Sequence, residues 1–548
     1  MWDLQTLRLG DLPDEGARRW GKREAFYFEG RRWSFAEFAT EVDRCAKGLI
    51  GLGVEPGERV AVWMTNLPEW LFLMYGLAKI GAVIVPLNTR YRTDDVAYAV
   101  AQSRSAMLVA LARSGPVDYA AMLGQAMPDL AVGEPGALRL AGFPELRTLV
   151  MVGECELANA TPWAALLAAS EAVEDAALAA RAAAVTPDDT MVILYTSGTT
   201  GDPKGVAHTH AVIRNTYERS HILGMDGNDT HMHYVPLFHL YGYSEVAMMC
   251  ALSGTRQVLM DVFDAGRALD LAQAEGATIM HGFDAHWHDL LAEQEARPRK
   301  LALRFSTYPA GTESSSVIAP RIHAAFGPTI SGWGMSETWS FVSCSRLTDS
   351  AEQCANASGT PMPGYEFRIV DPETGAEHPT DMPGELLVRG YAQMHGYFDK
   401  PEETAEVLDA EGWMHTGDMA RFRTDGQLVF MGRFKDMLKV GGENVSPAEI
   451  EARLMALDGV REAAVVGAPD ARLLEVPVAF VIADPGAGLD EESVIGRCRG
   501  RIASFKVPRR IFFVDSLPST SSGKVRKVDL RRRVPGLMAG EQEKGGTG

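Results

Sequence analysis

The sequence predicts an α/β protein. A large N-terminal domain of layered α/β subdomains ends in a small β-rich unit, and a small mobile α+β domain follows. Three observations carry this prediction. Helical apolar periodicity alternates with short apolar strands over the first 150 residues, as in strands covered by helices. Three apolar runs, MVILYT at 191–196, FSTYP at 305–309 and SGWGM at 331–335, each lead into a loop of glycine and hydroxyl residues. An open α/β sheet presents such loops at the carboxyl ends of its strands, where ligands bind. From about residue 359 the texture changes to short strands and turns, and after 432 glycine and charge lead into an amphipathic helix.

Taken in order, residues 35–52 repeat apolar side chains at helical spacing, and VEPGERV then reads as a turn into a strand. NLPEWLFLMYGLAKIGAVIVPLN is a helix leading into a strand. Its apolar stretch from Trp70 to Leu87 is broken by Lys79 and reads as core, not as a membrane span. Alanine and glutamate over 156–186 predict an exposed helix and connector. HTHAVIRNTYERS at 208–220 predicts a helix, and PLFHLYGYSEVAMM places His239, Tyr241 and Tyr243 ahead of an apolar one. His281, His286 and His288 invite a metal reading. Positions 286 and 288 do not share a helix face, so a pocket wall or packing is favoured. GTPMPGYEFRIVD, GELLVRG and GQLVFMGR predict the β-rich unit over about 359–432. Ser446, Pro447 and Glu449 have the spacing of a capping box with proline at the first helical position. The predicted domains are 1–435 and 436–533, with a disordered tail over 534–548.

Composition narrows the function. A net charge of −19 argues against nucleic acid or an anionic membrane as partner of the whole surface. Against that background, 497–533 holds twelve lysines and arginines and two aspartates. This is either a solvated basic face or a mouth for a polyanionic small molecule. The six cysteines form no C-x-x-C pair, which suits a reducing compartment. The first residues have no secretory pattern, and the final KGGTG is neither a peroxisomal tripeptide nor a prenylation box. The expected setting is cytoplasmic, with no stable membrane insertion; a homodimer is left open.

The segment 196–204, TSGTTGDPK, is too polar and too small to build core. It is either a polar surface turn or a loop whose backbone N–H groups and hydroxyls surround an anion, with Lys204 adding charge. The GxxxxGK[ST] spacing of a Walker A loop is absent.

YTSGTTGDPKG (195–205), WGMSE (333–337), HTGD (415–418), GRFKD (432–436) and STSSGKVRK (519–527) occur in one order. Together they resemble the phosphate loop, (Y/W)GxTE element, TGD element, hinge and catalytic-lysine loop of the adenylate-forming superfamily, which includes the acyl-CoA synthetases. The resemblance implies that Thr196, Ser197, Gly198, Thr199, Thr200, Gly201 and Lys204 surround the β- and γ-phosphates of ATP. Ser336, where the family more often has threonine, would touch the α-phosphate, and Glu337 would hold Mg²⁺. Trp333, Gly334 and Met335 belong to the nucleotide site. So do Gly311 and Thr312, although PAGTESS replaces the family's GGA-type wording. Asp418 would accept the ribose hydroxyls and Arg433 would steady the ribose and phosphate end. Lys524 would reach from the small domain to bridge the acid and the α-phosphate; Lys524, Glu337 and Thr196 form the implied catalytic set. A swing about Asp436 would then replace Lys524 by the strand with Val440, Gly441 and Gly442, beside which pantetheine passes.

The chemistry needs these residue types. A carboxylate attacking an anionic phosphate requires neutralising charge and alignment, and no general base. The implied activity is ATP-dependent acid–CoA ligation: acyl-AMP and pyrophosphate form first, then acyl-CoA and AMP. By the same resemblance Phe238, His239, Gly282, Trp287, Trp333 and Gly334 line the acyl pocket, pointing to a medium-chain, cyclic or aromatic acid. Two alternatives stand beside this reading: an adenylation enzyme loading a carrier protein in trans, and a catalytically inactive nucleotide-binding regulator.

Overall fold

The computed structural model describes residues 2–131, 134–196, 203–309, 315–440, 443–470, 472–499, 502, 504–519 and 525–542. Two large sheets form the frame. The first has nine strands, ordered 360–361, 340–344, 329–335, 305–309, 279–281, 230–233, 256–259, 24–28 and 31–34. It is parallel from 329–335 to 24–28 and antiparallel at both edges. The second has eight strands, ordered 396–397, 204–209, 190–196, 83–86, 59–63, 105–111, 148–152 and 161–162.

Alternation along the strands explains the layering. Val60, Val62, Val192 and Leu194 of the second sheet share one core with Leu259, Ile279, Phe305 and Ile330 of the first. Helices Phe35–Gly51 and Pro68–Lys79 lie in that core. Pro68–Lys79 is buried at every residue but Glu69, as the reading of this stretch as core predicts. Its terminal Lys79 is neutralised by Asp14 and Asp43, which a buried ammonium requires. Ala61, Trp63 and Ile193 face the opposite way and pack under helices Thr93–Gln102 and Tyr119–Ala126. Met280 and Tyr308 likewise face helices Ala265–Ala274, Asp284–Ala296 and Ser315–Phe326. The fold is therefore layered α/β, because a strand buried on both faces needs helices above and below.

Strands Tyr365–Val370, Gly384–Gly390, Met414–Phe422 and Leu428–Arg433 form the expected β-rich unit, an antiparallel four-stranded sheet. From Leu438 onward the chain builds a further sheet around the long pair Val460–Asp470 and Leu474–Ala483. Helices Pro447–Met455 and Glu491–Cys498 cover one face; Leu530 and Val534 of helix Lys527–Gln542 enter the core on the other. Among the described residues no helix is long and apolar enough to cross a membrane.

Several expectations are corrected. Helix Lys527–Gln542 continues through 534–542 of the stretch expected to be disordered, anchored by the buried Val534. Ser446 precedes helix Pro447–Met455 as foreseen, but no capping box forms. Its hydroxyl donates to the Met431 carbonyl at 3.1 Å, and Glu449 pairs with Lys506. Tyr241 and Tyr243 do not precede the apolar helix; they lie in it, and Tyr243–Met248 is wound as a π-helix. Finally, the three glycine- and hydroxyl-rich loops do not end strands of one sheet. Those after 305–309 and 329–335 leave neighbouring strands of the nine-stranded sheet, whereas 190–196 belongs to the eight-stranded one.

Candidate active site

Thr190–Thr196 and Lys204–Thr209 form a β-hairpin in which Thr196 opposes Lys204. The Thr196 hydroxyl donates to the Lys204 carbonyl at 3.4 Å, and the Tyr98 hydroxyl to that of Pro203 at 3.1 Å. Ser197, Gly198, Thr199, Thr200 and Gly201 lie outside the described residues, as do Gly311, Thr312, Gly441, Gly442 and Lys524.

The hairpin's outer strand is tied to the WGMSE segment in two ways. His208 is buried, and burial pushes its imidazole down to about 4. The neutral ring donates from Nε2 to the Ser336 carbonyl at 2.6 Å. On the other side, strand Gly396–Tyr397 pairs with Lys204–Thr209, setting Tyr397 beside Val206. The Tyr397 hydroxyl donates to Glu337 Oε1 at 2.9 Å, and Lys204 Nζ stands 4.8 Å from its ring centroid. Burial first, then the Glu337 charge, push this phenol far above its ordinary range, so it remains a donor.

Trp333, Gly334 and Met335 end strand Thr329–Met335, and a 3₁₀ turn over Ser336–Thr338 follows. Trp339 and Ser340 then take left-handed backbone conformations, with φ of 61° and 64°. This reversal folds Ser340 over the strand, so a Cβ on Gly334 would lie 1.6 Å from the Ser340 carbonyl oxygen. Only glycine fits there. Glu337 is buried at the end of the turn, with its backbone carbonyl accepting from Met394 N at 2.7 Å.

Asp418 and Arg433 face each other on neighbouring strands of the β-rich unit. Asp418 is 3% exposed; Trp333 Nε1 donates to its Oδ2 at 3.0 Å, and Arg433 Nε lies 3.1 Å from its Oδ1. The Asp418 charge, reinforced by Glu337 and Asp436, makes the Arg433 guanidinium hold its proton more tightly than usual. Gly417, at φ +66°, supplies the turn that aims Asp418 inward. Asp436 follows in the 3₁₀ turn Phe434–Asp436 and pairs with Arg531 at 2.9 Å.

The residues expected around the acid divide into two groups. Phe238 is buried, and His239 caps the next helix, its Nδ1 accepting from Tyr241 N at 3.1 Å. The His239 ring meets Phe283 edge-on at 5.0 Å. Trp287, in contrast, is fully buried against Phe326, and its Nε1 donates to the Gly282 carbonyl at 3.1 Å. It packs behind Gly282. Tyr241 is buried beside them: its hydroxyl lies 2.5 Å from Thr307 Oγ1, and its ring stacks on His281 at 5.6 Å. His281 is buried with His231 on its far side, at 4.3 Å. Among the described residues no three His, Cys, Asp or Glu side chains converge as a metal cluster. Sequence reasoning missed the contacts of Tyr397, His208 and Tyr241. Tyr397 belongs to no recognised chemical spacing, and its partners come from segments far away in the chain.

Residues 13–398 match the family of AMP-binding enzymes, and residues 449–524 match the C-terminal domain of AMP-binding enzymes. A Mycobacterium tuberculosis protein, 3-[(3aS,4S,7aS)-7a-methyl-1,5-dioxo-octahydro-1H-inden-4-yl]propanoyl:CoA ligase, is 36% identical over 537 residues, covering 96% of this chain and 99% of its own. The mitochondrial medium-chain acyl-CoA ligase ACSF2 of Danio rerio is 31% identical over 539 residues, covering 97% and 89%. The crystal structure of the anthranilate CoA ligase AuaEII with anthranoyl-AMP superposes with a TM-score of 0.86 at 25% identity, covering 98% of both chains. With both parts of the family model matched and full-length relatives at this identity, the chain belongs to the AMP-binding enzymes of the adenylate-forming superfamily.

Proposed function

We propose that this acid–CoA ligase activates a medium-chain, cyclic or aromatic carboxylic acid with ATP and passes the acyl group to CoA. The observation that carries the reading is the meeting of three separate segments through direct side-chain contacts. Lys204 of the hairpin, Glu337 of the WGMSE turn and the Asp418–Arg433 pair of the β-rich unit are linked through Tyr397 and Trp333. That set has the charges and the order that a triphosphate and ribose need.

In this reading Asp418 accepts from the ribose hydroxyls, and Arg433 steadies the ribose and phosphate end. Thr196, Ser197, Thr199, Thr200 and Lys204 hold the outer phosphates, and Ser336 meets the α-phosphate. Glu337 suits Mg²⁺: it is a buried carboxylate joined through Tyr397 to Lys204, and this hard cation takes one or two carboxylates with substrate phosphates and water. When bound, Mg²⁺ neutralises phosphate charge. The acid's carboxylate oxygen attacks the α-phosphorus, and pyrophosphate leaves. Lys524, on a lid formed by 436–533, bridges the two reacting anions. The lid then swings about Asp436, the CoA thiolate attacks the acyl carbonyl, and AMP leaves.

The substrate class rests on two supports. Similar proteins act, by name, on a bicyclic propanoate, medium-chain acids and anthranilate. The wall of Phe238, His239, Tyr241 and Phe283 is aromatic, with Tyr241 fixed by Thr307. A coupled assay of pyrophosphate and AMP release over a panel of acids, with and without CoA, tests the reading. Ring-bearing and medium-chain acids are expected to give acyl-CoA; activity confined to very long chains overturns the substrate class. Lys524→Ala is expected to slow adenylation about 10²–10³-fold, the cost of one placed electrostatic contact, while supplied acyl-adenylate still reacts with CoA. Adenylation at the wild-type rate would remove Lys524 from the mechanism.

A further inference from the structure

We propose that Tyr397 is a positioning residue that holds Glu337 and Lys204 in register at the metal and phosphate end of the site; this rests on the reading of that site given above. Three observations converge. First, the buried Tyr397 hydroxyl donates to one oxygen of Glu337, Oε1, at 2.9 Å. A carboxylate held by one oxygen cannot rotate freely, so the other oxygen keeps a fixed direction for a cation. Second, Lys204 Nζ lies 4.8 Å from the centroid of the same ring. The ring face attracts an ammonium group and limits where its long stem can wander. Third, the backbone around Tyr397 ties together the two segments that carry these partners. Phe398 N donates to the Gly205 carbonyl at 2.7 Å and His395 N to that of Ala207 at 3.1 Å, while Met394 N donates to Glu337 O at 2.7 Å.

The hairpin and the WGMSE turn belong to different sheets. Residues 394–398 thus act as a strap across the gap between sheets, with Tyr397 as its only side chain touching both partners among the contacts described. The hydroxyl serves the carboxylate and the ring serves the lysine, so two substitutions separate the functions. Tyr397→Phe keeps the ring and frees Glu337. Tyr397→Leu removes both.

The test is calorimetric binding of α,β-methylene-ATP as a function of Mg²⁺ concentration, with pyrophosphate release measured in parallel. Tyr397→Phe is expected to raise the Mg²⁺ concentration for half-maximal effect about tenfold, the scale of one hydrogen bond to a charged group. Nucleotide binding without Mg²⁺ should match wild type. Tyr397→Leu is expected to show the same Mg²⁺ shift and to weaken metal-free binding as well. In a Glu337→Gln background, Tyr397→Phe should add no further shift, and circular dichroism should remain that of the wild type. An unshifted Mg²⁺ midpoint in Tyr397→Phe, or equal weakening with and without Mg²⁺, overturns the proposal. Wild-type protein that binds no α,β-methylene-ATP at any Mg²⁺ concentration instead overturns the site reading on which it rests.

Discussion

Asp418 is gripped on both sides: the Trp333 indole donates to Oδ2, and the Arg433 guanidinium faces Oδ1. The carboxylate is therefore oriented before any ribose arrives, which lowers the ordering cost of binding. Trp333→Phe keeps an aromatic ring, removes the N–H and trims the side chain from two rings to one. A hydrogen bond to a charged group contributes about 1.5–3 kcal/mol, so the KM for ATP is expected to rise roughly tenfold or more. The kcat should stay within about twofold, because the indole N–H touches the ribose-binding carboxylate and none of the atoms whose bonds change at the α-phosphorus. Steady-state kinetics with ATP varied decides it; an unchanged KM means the indole N–H has no orienting role. At this scale the sequence was legible where chemistry sits in contiguous words. WGMSE and HTGD announce Trp333, Glu337 and Asp418 because glycine, hydroxyl and acid are adjacent. It was not legible where two words touch. Trp333 and Asp418 meet across 85 residues, and Tyr397 and Glu337 across 60. No local spacing encodes either meeting.

Among the elements, helix Ile213–Ile222 and the π-helical turn Tyr243–Met248 are joined by a buried ion pair. Arg219 is fully buried and Glu245 nearly so; Arg219 Nε donates to Glu245 Oε2 at 2.9 Å. The same guanidinium donates to Ser244 Oγ at 3.0 Å and to the Phe341 carbonyl at 2.9 Å. It thereby fixes both helical segments to strand Ser340–Cys344, next to the WGMSE turn. Glu245→Ala would leave this arginine charged and unpartnered by a carboxylate, at an expected cost of about 3–5 kcal/mol. Urea unfolding measures it. Replacing the pair together, Arg219→Met with Glu245→Leu, should recover most of that loss; a double variant as unstable as the single one would show that the network, not the lone charge, sets the cost. The helix expected over 208–220 is observed at 213–222, and its buried face is mostly polar: Asn215, Thr216, Arg219 and Ser220 lie beside Ile213. Periodicity could not read the π-helix. Gly242 lies where a Cβ would come 2.3 Å from the Pro236 carbonyl oxygen, so a tertiary close approach shapes the entry to that element. The Ser446 cap fails for a similar reason: its hydroxyl has a partner in Met431, outside the helix.

Across the whole molecule, histidine burial links the layered fold to pH. His208, His210, His231, His233 and His281 are each no more than 1% exposed. Burial lowers His208, His210 and His233 to about 4 and His281 to about 3, and lowers His231 further below the ordinary value. For the imidazoles at 281, 286 and 288 the sequence favoured a pocket wall or packing over a metal site, but spacing carries no information on depth. In the fold, His281 is buried, stacked on Tyr241 and meeting His231 edge-on. The sign of the linkage follows from the depressed folded values. An unfolded histidine takes up a proton near pH 6.5, whereas His208, His210 and His233 stay neutral in the folded state until about pH 4 and His281 until about pH 3, and His231 is likewise held well below the ordinary value. The unfolded chain therefore binds more protons across that window, and stability falls as pH drops through it. Each histidine contributes up to about 1.4 kcal/mol per pH unit. The net charge of −19 acts in the opposite direction, since acidification relieves self-repulsion. One variant separates the two effects. Among the described residues His231 Nε2 is buried without a hydrogen-bond partner and Nδ1 pairs with the Met232 carbonyl at 3.1 Å, so His231→Leu removes a titrating group and one hydrogen bond. Urea midpoints at pH 7, 6 and 5 are expected to fall for the wild type and to fall less steeply for His231→Leu, by up to one proton in the slope of stability against pH. Identical slopes would mean that His231 is protonated in the folded chain, and that the pH response comes from the surface.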